Sequence, residues 1–183
     1  ELAEAAKVSL NMRGEGRFMD YDRASGGNWS MAHRIWCWTR LMDGDRANKI
    51  FDLTLREQGF ENLLTFQHAG WSSGRPDLFR EPDNLFLNFQ LDASGSTPGF
   101  MAEMLLQSHL DEIMLLPALP TEWEKGSVKG LKARGNYSVD ITWENGELKK
   151  AIIKGDTKEA PKIRVVDKVI DPKEDDRIDY LSI

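Results

Sequence analysis

Trp29-Ser30-Met31-Ala32-His33-Arg34-Ile35-Trp36-Cys37-Trp38-Thr39-Arg40-Leu41-Met42 is the most apolar stretch of the chain, and the fold turns on how it is read. Wound as a helix, its apolar residues cover every face rather than one stripe. A helix of that kind is buried on several sides, as in the inner layer of a two-layer helical assembly. Helical patterns flank it. Upstream, Leu2, Ala6, Val8 and Leu10 lie along residues 1–13, and Gly14 offers a left-handed stop. Downstream, Asp43 or Asp45 can cap a helix running to Gln58, with Ala47, Ile50, Phe51 and Leu55 on one face and Gly59 as its stop.

Between Gly59 and Pro98 the chain is rich in Gly, Ser, Asn, Asp and Pro, with Phe66, Trp71, Phe79, Phe86 and Phe89 interspersed. Connections longer than ~15 residues are uncommon in compact domains and are usually functional or disordered. The aromatics argue for a binding loop region. Thr97 then suits an N-cap and Pro98 a first helical position, with Phe100, Met101, Met104 and Leu105 inward. After Glu112 the period becomes two. Residues 113–116 read as a short buried strand, and Tyr137, Val139, Ile141 and Trp143 alternate with polar partners. Asn145-Gly146 supplies a type I′ turn into Leu148–Lys154, and residues 163–166 and 178–181 read as edge strands. The expected architecture is α+β, with helices over residues 1–111 and a small antiparallel, β-sandwich-like domain over 112–183.

The 183 residues are 40% hydrophobic and 30% charged, with mean hydropathy −0.49, the balance of a globular chain. No apolar run approaches the ~20 residues of a membrane span. A net charge of −6 without a basic cluster argues against nucleic acid as a partner. Cys37 is the single cysteine, so no intrachain disulfide forms, and His33, His68 and His109 are too scattered for a zinc set. No metal or cofactor is expected. Glu1-Leu2-Ala3-Glu4 looks like neither a signal peptide nor an initiator. Trp29, Trp36 and Trp38 also outnumber the partners that the helical half supplies. The expectation is therefore a mature or excised segment, the end of something larger, with an N-terminal remainder of the same polypeptide as its first partner.

Two blocks carry a family resemblance. Gly27-Asn28-Trp29-Ser30-Met31-Ala32-His33-Arg34, followed by Trp38-Thr39-Arg40-Leu41-Met42-Asp43-Gly44-Asp45-Arg46-Ala47, resembles the helix pair "G-W-S-x-A-…-W-A-R-L-x-D-G-x-R-A" of glycoside hydrolase family 95. Residues 103–109, Leu115-Leu116-Pro117-Ala118-Leu119-Pro120, Trp123, residues 126–135 and Val139-Asp140 are similar to that family's C-terminal block. The resemblance covers residues 1–155 and implies the last helices of an (α/α)6 barrel, a six-hairpin plan, followed by a closing β-domain. It also implies an inverting α-L-fucosidase, with α-L-galactosides as a second sugar class.

Inverting hydrolysis needs a protonated carboxyl group for the leaving oxygen and a base for a water on the opposite sugar face. In the resembled family the base is the aspartate of a "F-Q-I-D-G-N" loop. Phe89-Gln90-Leu91-Asp92-Ala93-Ser94-Gly95 stands in its place, so the resemblance makes Asp92 the general base. Without the resemblance, Asp92 reads as a turn residue in a Ser/Gly-rich loop. Ala93-Ser94 replaces the family's Gly-Asn, and Phe86-Leu87-Asn88 its His-Pro-Pro, so substrate contacts in this loop are expected to differ. Gln90, beside the base, and Trp71, an aromatic able to stack on a sugar, are the substrate-binding candidates. The family's acid glutamate has no counterpart here, and Glu103 reads as a structural contact. His33 reads as a core histidine and Cys37 as a buried, inert thiol. The expected partner is a fucosylated glycan met in a periplasmic or secreted setting. The alternative is a non-catalytic carbohydrate-binding or scaffold module on residues 111–183.

Overall fold

The structure is a computed structural model describing residues 1–13, 28–58, 61–68, 87–156, 161–166, 168–170 and 178–182. It divides into two compact units, Glu1–Leu41 with Arg46–Phe100, and Met42–Asp45 with Met101–Ile183.

In the first unit, α1 (Leu2–Met12) turns Leu10 inward, while Gly14 lies outside the described residues. Helix α2 (Asn28–Arg40) buries Met31, Ala32, Ile35 and Trp38 to within 0–4% exposure, with Arg34 and Thr39 buried among them. Its burial is wide but not all-round. Trp29, His33, Trp36 and Arg40, spaced i, i+4, i+7 and i+11, form a stripe that is exposed or half-buried. His33 is thus a surface residue, not the core histidine expected from its apolar neighbours. Trp38 is covered by the Arg46 guanidinium, 4.6 Å above its ring, and Arg46 also donates to Asn11 Oδ1.

Helix α3 (Gly44–Gln58) buries Ala47, Ile50 and Thr54, and the Thr54 hydroxyl donates to the Ile50 carbonyl at 2.7 Å. Helix α4 (Leu91–Leu105) begins well before Pro98, which lies inside it. The expected cap is therefore corrected: the Thr97 hydroxyl donates back to Ala93 O at 3.0 Å instead of capping. Phe100, 1% exposed, receives Trp36 and Phe51 edge-on at 6.4 and 5.1 Å between centroids. A Cβ on Gly99 would come within 2.9 Å of the Trp36 ring, so glycine lets these helices approach. Within the segment read as loop, β1 (Phe66–His68) and β2 (Leu87–Phe89) pair antiparallel, Phe66 opposite Phe89.

Among the described residues, the second unit holds two four-stranded sheets. One is β10-β7-β6-β5, built from β5 (Lys125–Ala133), β6 (Tyr137–Glu144), β7 (Glu147–Gly155) and β10 (Ile178–Ser182). The other is β3-β4-β8-β9, from β3 (Leu106–Gln107), β4 (Ile113–Leu115), β8 (Ile163–Val165) and β9 (Lys168–Ile170). Both are mixed rather than purely antiparallel, because β10 runs parallel to β7 and β8 parallel to β4. Nor is β8 an edge, since β9 pairs beyond it. Leu115, Ile163, Val139, Ile141, Ala151 and Ile153, drawn from both sheets and at most 1% exposed, belong to one apolar cluster.

Asn145 and Gly146 have φ of 56° and 72°, the two left-handed positions of a type I′ turn, and they close the β6–β7 hairpin. The ladder slips one residue between Thr142 and Trp143, so Leu148 and Ala151 both face the core and Lys149-Lys150 passes outside. A second slip, between Val128 and Leu131, is built around Gly130 at φ 74°, whose N–H is held by Asp140 Oδ1 at 2.8 Å. At the β4–β8 pair the side chain of Glu112, 6% exposed, takes both Arg164 Nε at 2.7 Å and Lys162 Nζ at 3.3 Å.

Candidate active site

The β1–β2 ladder brings Thr65 level with Gln90, and Gln90 N donates to Thr65 O at 2.9 Å. Thr65 is 2% exposed, and its hydroxyl donates to Gln90 O at 3.1 Å. Ser94 Oγ accepts the Thr65 N–H at 2.9 Å and lies 2.9 Å from Thr65 Oγ1. Because the Thr65 proton is directed at Gln90, the Ser94 hydroxyl is the donor of that last bond. These four bonds close a ring around the start of α4. Ser94 N, reaching Gln90 O at 3.4 Å, opens the helical ladder there.

That ring explains the early start of α4. A Ser/Gly-rich sequence ahead of a proline has little intrinsic reason to be helical. Tertiary bonds from Thr65 nevertheless fix Gln90 and Ser94, one turn apart, and so define the turn between them. Gln90 itself is 9% exposed, and its Oε1 accepts the Trp29 N–H at 3.3 Å, which occupies a main-chain donor in the first turn of α2. Gln90 and Ser94 share one side of the turn. Asp92, two residues from each, lies on the opposite side and is exposed. A carboxylate in a first helical turn is favoured by the helix dipole.

The ring therefore unites Gln90, read from the sequence, with Thr65 and Ser94. Thr65 carries no signal in the sequence, since nothing in a polar loop marks a threonine that pairs across a ladder. Ser94 was visible only as a departure from a family pattern. Trp71 lies outside the described residues. Glu103 is half-buried on α4. Ser108 Oγ accepts the Arg134 N–H at 3.0 Å, a structural role. Cys37 is half-buried, its Sγ 3.8 Å from His33 Nε2, and burial pushes its thiol up, against an opposing pull from Arg13. A raised thiol is the reverse of an activated nucleophile. Among the described residues no three His, Cys, Asp or Glu side chains gather to hold a metal ion.

Residues 1–105 match the model of the glycosyl hydrolase family 95 catalytic domain, and residues 107–180 match that of the glycoside hydrolase family 95 C-terminal domain. The chain belongs to glycoside hydrolase family 95. The boundary between the two matches falls where α4 ends and β3 begins. Among curated relatives, the chain is 34% identical over 155 residues to Alpha-L-fucosidase 2 of Arabidopsis thaliana, an alignment covering 81% of this chain and 16% of that protein. It is 28% identical over 158 residues to Probable alpha-fucosidase A of Aspergillus oryzae, covering 80% of this chain and 19% of that protein. The protein of the same name from Aspergillus niger is 26% identical over 155 residues, covering 79% and 17% respectively. The chain thus spans less than a fifth of the length of each of these relatives.

Proposed function

We propose that this chain is the C-terminal part of an inverting glycoside hydrolase that releases terminal α-L-fucosyl residues from glycans, with α-L-galactosyl as a second class, and that Asp92 is its general base. The observation that carries the reading is the exposed carboxylate of Asp92 on the first turn of α4, within a Phe89-Gln90-Leu91-Asp92 stretch that resembles the base loop of the family. On this reading a water on one face of the sugar gives its proton to Asp92 and its oxygen to the anomeric carbon. The glycosidic C–O bond breaks on the other face, and a glutamic acid in an N-terminal remainder of the polypeptide protonates the departing oxygen. Trp71 is the stacking surface, while Gln90, buried on the far side of the turn with its Oε1 on the Trp29 N–H, serves as an anchor of the segment that carries the base rather than as a sugar contact. The setting is periplasmic or secreted, where such glycans are met.

The test is Asp92→Asn in the full-length protein, assayed on an aryl and a 2-linked α-L-fucoside, with the anomer of the released sugar followed by NMR. Loss of a general base costs typically ~10²–10⁴-fold in rate. Turnover at the parent rate would remove Asp92 from this role. Binding of fucosides without any turnover by the full-length protein would favour the non-catalytic carbohydrate-binding module instead.

A further inference from the structure

We propose that Thr65 and Ser94 are positioning residues for Asp92, a hydroxyl clasp that sets where the base carboxylate stands; this rests on the reading of Asp92 as the general base. Thr65 offers an N–H, an O–H and a carbonyl, and all three are directed at the turn that carries Asp92: N–H to Ser94 Oγ, O–H to Gln90 O, and C=O to Gln90 N–H. The Ser94 hydroxyl returns its proton to Thr65 Oγ1 at 2.9 Å. Thr65 is 2% exposed, so these bonds stand largely apart from competing water and leave no orphaned group in the ring.

The turn they hold is otherwise weak. Gly95 and Pro98 follow it, and Pro98 lacks the N–H that would continue the helical ladder back to Ser94. Anchors at Gln90 and Ser94 bracket Asp92 at two residues on either side, with the carboxylate on the free side of the turn. A base must meet its water within hydrogen-bond reach, and a misplacement near 1 Å can cost on the order of 10²-fold. Ser94 occupies the place where the family pattern has asparagine, so this hydroxyl clasp belongs to the present sequence and not to the family pattern.

The experiment compares Thr65→Val, Thr65→Ser, Ser94→Ala and Asp92→Asn in the full-length protein, with kcat and KM on an aryl α-L-fucoside and the melting temperature of each. Thr65→Val and Ser94→Ala are expected to lower kcat about 10- to 100-fold while KM stays within about twofold, since placement of the base acts on the transition state. Thr65→Ser, which keeps the hydroxyl, is expected to retain kcat. A purely structural role would show as falling melting temperature without the kcat–KM split. If Thr65→Val fails to fold, Ser94→Ala and Thr65→Ser carry the test. Normal kcat in Ser94→Ala and Thr65→Val, beside an inactive Asp92→Asn, would overturn the clasp and leave the base reading standing. So would a Thr65→Ser variant as impaired as Thr65→Val, or a loss confined to KM. An active Asp92→Asn would instead overturn the base reading itself.

Discussion

Alanine in place of glycine at positions 44 and 95 should change stability in opposite directions, although both glycines are helical. Gly44 opens α3, where a Cβ would stand 2.1 Å from the Ala118 carbonyl oxygen, 2.6 Å from its carbon and 2.9 Å from the Leu119 carbonyl carbon. All three are main-chain atoms, and the segment is tied down. Ala118 N donates to Met104 O at 3.1 Å, and Thr121 gives its N–H and hydroxyl to Asp45 Oδ1 at 2.7 and 2.9 Å. Ordinary contact would require the two stretches to part by roughly 1 Å, and overpacking of that kind costs about 1–3 kcal/mol. Loosening the exposed Asp45–Thr121 bonds adds about 1 kcal/mol, while alanine's better helix propensity returns at most about 1 kcal/mol. Gly44→Ala should therefore lose about 2–3 kcal/mol.

At Gly95 nothing lies within 4 Å of an added Cβ. Only propensity and unfolded-state entropy act there, so Gly95→Ala should gain about 0.5–1 kcal/mol. For a chain of this size each kcal/mol moves the melting temperature by about 2–4 °C. Thermal unfolding followed by circular dichroism should show Gly44→Ala melting about 5–10 °C below the parent and Gly95→Ala about 1–3 °C above it. A Gly44→Ala protein as stable as the parent, or two variants shifting together, would refute the packing argument.

Two more outcomes follow from the second unit. Glu112 is held below the usual carboxylate range chiefly by its hydrogen bond from Arg164, with burial opposing and Lys162 assisting. A depressed folded value means the stabilisation is complete above the unfolded pKa, near ~4.3, and is lost as pH falls through the lower folded value. Urea unfolding should accordingly show the parent ahead of Glu112→Gln at neutral pH and the gap closing below about pH 4; a gap constant to pH 3 would contradict this. Gly146 sits at φ 72° with nothing within 4 Å of an added Cβ, so Gly146→Ala should cost about 1 kcal/mol of backbone strain alone, and a neutral result in denaturant unfolding would count against the type I′ turn.

What could be read from the sequence divides along a physical line. Faces of elements were legible where burial imprints a period: Ala47 and Ile50 on α3, and Val139, Ile141 and Trp143 on β6, are buried as their spacing demands, whereas α2, apolar on every face in the sequence, leaves the Trp29–His33–Trp36 stripe exposed or half-buried. So was the Asn145-Gly146 turn, where two successive left-handed residues admit few sequences. Strand phase was not legible wherever the ladder slips. The extra residue around Gly130 brings Val128 and Leu131 to the same side three positions apart, which breaks the alternation and hides β5. The direction of β8 and β10 was equally hidden. No two-residue turn fixes them, and an apolar strand can pair either way in the sheet.

The start of α4 belongs to the same illegible class, with larger consequences for chemistry. Local signals around Thr97-Pro98 describe a good helix start, and they lose to a buried threonine whose bonds reach across a ladder. Had the helix begun at Pro98, Asp92 would hang on a Ser/Gly-rich loop with many accessible orientations. In the first turn of α4 its Cα and Cβ are fixed by anchors at Gln90 and Ser94, leaving only side-chain rotamers to choose. The sequence feature that looks weakest, a serine where the family pattern has asparagine, is thus the one through which the turn is tied. A local departure from a family motif is best judged against the partner across the ladder, and here that partner is Thr65.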